Sequence, residues 1–168
     1  MSEDLKIENP DNLNLRDGVV HLVLSHSYTV FLLAVILGII FDILIPTSFF
    51  GSYLYQYIGF ILIVLGSLLI YWAQKTTNCT KKEELEGGKI IRDFARGPYK
   101  YSRNPTHIGL TATALGLGLA INSVFSVIFI LIAFFITKII FIKKEEALLE
   151  KRYGEDYCNY KKKVCTWI

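Results

Sequence analysis

Tyr53-Leu54-Tyr55-Gln56-Tyr57-Ile58-Gly59-Phe60-Ile61-Leu62-Ile63-Val64-Leu65-Gly66-Ser67-Leu68-Leu69-Ile70-Tyr71-Trp72 runs for twenty residues without a charged side chain. At the helical rise such a run extends about 30 Å, the thickness of a bilayer's hydrocarbon core. It reads as a transmembrane helix, and the rest of the chain is organised around it. Tyr28 to Ile45 is a second apolar block, with Asp42 as its one charge, and reads as a second span. His107 to Ile121 is shorter, about 22 Å as a helix, and spans only with its flanks or as half of a tight hairpin. Phe125 to Ile142, rich in Ile and Phe, is the fourth block; Lys138 near its end can snorkel to the interface. The expected fold is all-α: a polytopic integral membrane protein with about four transmembrane helices, the last two forming a hairpin, plus a cytoplasmic C-terminal helix that Gly154 terminates.

The basic residues set the expected orientation. Of the eighteen Lys and Arg residues, two precede the first block, eight lie between the second and third, seven follow the fourth, and Lys138 is inside it. The other two connections, Pro46 to Ser52 and Asn122 to Val124, have none. The positive-inside bias therefore places both termini and the long loop in the cytoplasm. Met1 to Asn14 is polar and acidic rather than a signal peptide, so the first span is retained. Leu15 to His26 reads equally as a surface-lying amphipathic segment or as an extension of the first helix.

Composition narrows the function classes. A 52% hydrophobic content exceeds what a soluble core needs. The net charge of +3 arises in the membrane-flanking loops and points to anionic headgroups rather than nucleic acid. Cys79, Cys158 and Cys165 fit neither a zinc site nor a disulfide framework, so no metal is expected. The chain has no Gly-rich phosphate loop and no dinucleotide fingerprint.

Chemistry concentrates where polar residues meet the membrane boundary. Gly97 allows unusual backbone angles and Pro98 fixes its own. Asn104-Pro105 reads as a helix entry, with Asn104 as N-cap and Pro105 at the first position, leaving amides free for an anion. Arg103 is either an interfacial anchor for lipid phosphate or a planar fork for a carboxylate. Glu145 and Glu146 leave the fourth block either as a solvated face or as part of a site; His107 is more simply a surface histidine. Ala112, Gly116 and Ala120, with Gly109 and Thr113, form a thin helix face that packs closely on a neighbour or makes room for a ligand, two compatible readings.

The two-part pattern Gly97-x-Tyr99-x-x-x-Arg103-Asn104-Pro105-x-x-x-Gly109, then Glu145-Glu146-x-x-Leu149-x-x-x-Tyr153-Gly154-x-x-Tyr157-x-x-Tyr160, resembles the isoprenylcysteine carboxyl methyltransferase and phospholipid methyltransferase superfamily, in its small prokaryotic form. The resemblance runs from about Lys75 to Trp167. It implies one membrane methyltransferase domain over residues 1–168: an N-terminal segment 1–27, two spans in 28–74, a cofactor loop 75–106, two spans in 107–142 and a cytoplasmic helix and tail in 143–168. It implies an S-adenosylmethionine cofactor on the cytoplasmic face of a prokaryotic membrane and a lipid-like or prenylated acceptor, with an isoprenylcysteine carboxylate favoured over a phospholipid amine or a small thiol. Arg103 and Glu146 take the catalytic positions. Tyr99, Arg103, Asn104, Pro105, His107, Gly109, Glu145, Glu146 and Tyr157 line the cofactor pocket. Three departures stand out: Asn104 where the family commonly has His, His107 where it often has Tyr, and Cys165 near a position that is often basic. A nicotinamide-dependent membrane reductase and a non-enzymatic scaffold are the readings from other classes. The sequence leaves the oligomeric state open.

Overall fold

A computed structural model describes residues 10–45, 53–87 and 94–166. Six α-helices follow one another: α1 (Pro10–Leu44), α2 (Leu54–Gly87), α3 (Pro105–Ala120), α4 (Val124–Ile136), α5 (Lys143–Tyr153) and α6 (Glu155–Lys163). A 3₁₀ turn, Gly97–Lys100, precedes α3, and a π-helical stretch, Thr137–Ile142, joins α4 to α5. The described residues contain no strand. The connection Pro46 to Ser52 lies outside the described residues.

Among the described residues, three helical stretches are long and apolar enough to cross a membrane: His26–Leu44, Leu54–Thr80 and Val124–Lys151. Four were expected; α3, with 16 residues, falls short of that length. Two boundaries also differ. Helix α1 begins at Pro10, so Leu15 to His26 is a helix extension rather than a separate surface segment. Helix α2 continues to Gly87, so the expected loop from residue 75 begins as helix. Lys and Glu are good helix formers, and nothing between Lys75 and Glu86 breaks the backbone pattern.

Small residues bring α2 and α3 together. The buried α2 positions Gly59, Gly66 and Ala73 are seven apart and form one stripe, two turns between successive members. Across from them lie Gly116 and Gly109. A Cβ on Gly59 would come within 2.6 Å of the Gly116 carbonyl oxygen, and one on Gly66 within 2.6 Å of the Gly109 carbonyl oxygen. Rising numbers on one helix meet falling numbers on the other, so the pair is antiparallel. Close backbone approach without side-chain interlocking is the packing mode available where lipid removes the hydrophobic drive. The thin face of α3 thus serves helix packing, and Gly109 belongs to that contact.

Helix α1 packs on α4 in the same manner at one point, where a Cβ on Gly38 would meet the Ser126 backbone at 2.3 Å. Phe31, Ala34, Val35, Ala114, Ile130 and Ala133 form the adjoining core, and Phe41 contacts the rings of Phe125 and Phe129. Helices α3 and α4 are joined by a short turn in which Asn122 takes a positive φ of 55° and Ser123 Oγ accepts from the Ser126 amide at 3.0 Å, capping α4. Apolar residues elsewhere face outward, among them Phe60, Ile61, Val64, Leu65 and Leu68 on α2. In water such a surface would aggregate; against lipid it needs no partner.

The buried positions of α4 are Ser126, Ile130 and Ala133, and Thr137 at the start of the π stretch continues them, a 4-3-4 spacing that follows one helix face. The next buried residue is Ile142, five further on. The π turn absorbs the extra residue. Beyond it Glu145, Glu146 and Leu149 fall on the inward stripe, whereas an uninterrupted α register would have put Lys144 and Leu148 there.

Candidate functional site

The loop before α3 is held from both sides. Gly97 has φ +53°, and a Cβ there would lie 2.5 Å from Thr76 Oγ1, so glycine is required twice over. The 3₁₀ turn that follows has Pro98 buried near its start. Tyr99 is tied to α2 by a 3.0 Å hydrogen bond between its hydroxyl and Thr77 Oγ1, and to α6 by Tyr160, whose hydroxyl donates to the Tyr99 carbonyl at 2.6 Å. Burial, followed by the nearby Tyr99 phenol, raises the Tyr160 pKa to about 12.

Pro105 opens α3 and Asn104 is its N-cap residue by position, as the sequence indicates. The Asn104 side chain makes no cap hydrogen bond; its Nδ2 donates to the Thr166 carbonyl at 3.4 Å instead. An uncapped helix start leaves first-turn amides available to a ligand carboxylate.

Two acid–base pairs meet at this helix entry. Arg103 Nη1 lies 2.8 Å from Glu146 Oε1, with side chains only 7% and 14% exposed. One turn further, His107 Nε2 lies 3.4 Å from Glu145 Oε2. His107 is buried, at 4% exposure, which corrects the expectation of a surface histidine. The cause is its place on the inner face of the α3 first turn, opposite the carboxylates that the π turn rotates inward. Glu146 has a second cation in Lys161, whose Nζ is 3.4 Å from Oε2 and also donates to Glu150 at 2.7 Å. The Glu150 bond is the main cause of a raised Lys161 pKa.

Several buried polar atoms here have no aligned hydrogen bond: Arg103 Nε and Nη1, His107 Nδ1 and Glu146 Oε1. The Arg103–Glu146 approach is an ion pair without hydrogen-bond alignment. Such atoms are costly to bury unless a ligand satisfies them. A ligand that carries both an ammonium and a carboxylate matches this pair, Glu146 accepting from the first and Arg103 donating to the second. Tyr28 on α1 adds a buried hydroxyl, with Gln74, Tyr99 and Glu145 among its neighbours.

Tyr157 borders the site from α6. It is buried with Tyr160 and Val164 against Phe94, Leu149 and Tyr153, and the Phe94 ring meets Tyr153 and Tyr157 edge-on at 4.8 and 5.6 Å. Burial, then the Glu146 charge, pushes the Tyr157 phenol far above its ordinary pKa, so it stays protonated.

The structure thus brings together Arg103, His107, Glu145 and Glu146, and sets Asn104, Pro105 and Tyr157 against them. Tyr99 fixes the loop through its hydroxyl and carbonyl, and Gly109 faces α2. Sequence reasoning missed Ser102, Thr166, Tyr28 and the α2 glycines. The seven-residue spacing of Gly59, Gly66 and Ala73 could have revealed the last of these. Among the described residues no group of three or more His, Cys, Asp or Glu is placed to hold a metal ion. A cleft of about 280 Å³ opens on α2, lined by Trp72, Lys75, Thr76, Cys79, Thr80 and Arg96. None of the paired residues lines it, and the chemistry lies with the pairs.

Comparison with known proteins bears on this arrangement. No curated protein and no solved structure matches the chain. The family model described as phospholipid methyltransferase matches residues 54–156, more than half of the chain, from the start of α2 into α6. Both halves of the acid–base site, Arg103 with His107 and Glu145 with Glu146, fall inside that match. The chain belongs to the phospholipid methyltransferase family.

Proposed function

We propose that the chain is an S-adenosylmethionine-dependent methyltransferase that modifies a lipid-like or prenylated acceptor at the cytoplasmic membrane boundary. The observation that carries this reading is the buried meeting of Arg103 and His107 with Glu146 and Glu145 at the mouth of α3. When bound, the cofactor supplies an activated methyl group on a sulfonium. Glu146 takes the cofactor ammonium; Arg103 and the first-turn amides of α3 take its carboxylate. Tyr99 and Tyr157 provide ring surface beside it. Rate enhancement comes from alignment and from exclusion of water by the surrounding helices.

We further propose that the chain crosses the membrane four times, with α3 and α4 as a tight hairpin and both ends cytoplasmic. The short capped turn at Ser123 and the basic residues flanking the site support this topology.

The acceptor class turns on proton handling. An isoprenylcysteine carboxylate, the expectation from the motif, needs no base. A phospholipid amine must lose a proton, and the His107–Glu145 pair favours that second reading. Its Nε2 faces Glu145 while Nδ1 has no protein partner. A neutral His107 held with its proton on Nε2 presents Nδ1 as the acceptor.

The test is transfer of labelled methyl groups from S-adenosylmethionine, by protein in lipid nanodiscs, to farnesylated cysteine and to phosphatidylethanolamine in parallel. Label on either acceptor, lost in Glu146→Gln, supports the reading and names the class. Absence of transfer to both, with saturable binding of reduced nicotinamide, favours a reductase; binding of neither cofactor favours a scaffold.

A further inference from the structure

The segment after α6 crosses back over the α3 entry. The Arg103 amide donates to the Cys165 carbonyl at 3.1 Å, and the Ser102 hydroxyl donates to the Thr166 carbonyl at 3.1 Å. Asn104 Nδ2 donates to the same carbonyl, and Arg103 Nη2 donates to Thr166 Oγ1. Ser102 and Asn104 are buried, and Val164, packed with Tyr157 and Tyr160, closes α6 through its amide on the Tyr160 carbonyl at 3.0 Å. The C-terminal side of this contact, Cys165 and Thr166, lies beyond residues 54–156, where the family match ends.

Its consequence falls on Arg103. A guanidinium beside a carboxylate prefers the two-toothed arrangement, with two parallel N–H bonds to two oxygens. Arg103 does not adopt it: Nη2 is engaged by Thr166, and only Nη1 approaches Glu146, toward Oε1. Glu146 Oε1 is left without an aligned hydrogen bond. Remove the Thr166 hydroxyl, and Nη2 is released to join Nη1 on the carboxylate, closing the fork over both Glu146 oxygens on which the proposed cofactor ammonium depends.

We infer that Thr166 is a positioning residue of the donor site: by taking one nitrogen of Arg103 it limits the arginine to a single-nitrogen contact with Glu146 and leaves the rest of the carboxylate for a ligand. The inference rests on the cofactor reading given above. The threonine hydroxyl accepts from Arg103 and keeps its own proton for the ligand or for solvent, so it acts through the arginine and takes no part in the chemistry.

The experiment is titration calorimetry of S-adenosylmethionine into the full chain in nanodiscs, comparing wild type, Thr166→Val and Thr166→Ser, with melting temperatures measured on the same samples. Thr166→Val keeps the shape and deletes the acceptor; the expected result is about a tenfold weaker affinity at unchanged melting temperature, as for loss of a hydrogen bond to a charged group. Thr166→Ser keeps the hydroxyl and retains wild-type affinity. In an Arg103→Lys background, where no fork can form, Thr166→Val has no further effect. Wild-type affinity in Thr166→Val overturns the inference, as do equal losses in the Val and Ser variants or a loss that only follows the folded fraction. If Thr166→Val does not fold while Thr166→Ser does, the hydroxyl is structural and the inference is likewise overturned. Wild-type protein that binds no S-adenosylmethionine refutes the cofactor reading itself, a result separate from any of these.

Discussion

Arg103 carries more of the account than any other residue. It is buried, it faces Glu146 at 2.8 Å, and its backbone and side chain are both tied to the segment around Thr166. An interfacial anchor would instead reach outward to lipid phosphate. If it orders the donor site, Arg103→Ala lowers methyl transfer by roughly two orders of magnitude, as for loss of one preorganised donor, while the yield of folded protein changes little. Parallel turnover and gel-filtration measurements check this; equal losses of both would return Arg103 to the anchor role. The residue types were legible in sequence because Arg, His and paired Glu at a membrane boundary are hard to explain otherwise. Their pairing was not. Nothing in the spacing says that Arg103 selects Glu146 while His107 selects Glu145, or that Thr166, more than sixty positions away, shares the arginine.

At the scale of elements, the apolar blocks gave the helices but not their faces. Periodicity indicates helix where every side chain is apolar, yet it cannot show which side meets protein and which meets lipid, and α2 exposes most of its circumference. The π turn Thr137–Ile142 is also silent in sequence, since no residue type marks it. Its effect is testable. Inserting an alanine after Lys143 rotates Glu145 and Glu146 by about 100° around the helix axis and should abolish cofactor binding with helix content preserved. Deleting Ile140, on the exposed side of the wide turn, restores an α register with the two carboxylates still inward and should be much milder. Binding assays with circular dichroism on the same preparations check both; equal behaviour of the two variants would refute the register argument. Gly154 was legible as a stop, and its φ of +57° with no neighbour within 4 Å shows why: the constraint is conformational, not steric.

The whole molecule joins a lipid-facing bundle to a polar cap made from the α2 extension, the 3₁₀ turn, α5 and α6. The cap's core is aromatic, with Phe94 among Tyr153, Tyr157 and Tyr160. The folded state raises the Tyr160 phenol from 10.0 to about 12, chiefly by burial, so ionisation favours the unfolded cap. Its stabilising contribution is complete below pH 10 and is lost as the pH climbs through about 12. Melting temperature should therefore fall over that interval, and fall less in Tyr160→Phe; a flat profile, or one identical in the variant, would contradict the packing described here.

The central claim is that the Arg103–Glu146 pair forms a cofactor site, and calorimetric titration of S-adenosylmethionine into wild type and Glu146→Gln in nanodiscs tests it most directly. The account predicts saturable one-to-one binding by the wild type, weakened at least about tenfold in a variant that remains folded, since a charged partner is replaced by a neutral one. No binding by folded wild type, or equal affinity in both proteins, would contradict it.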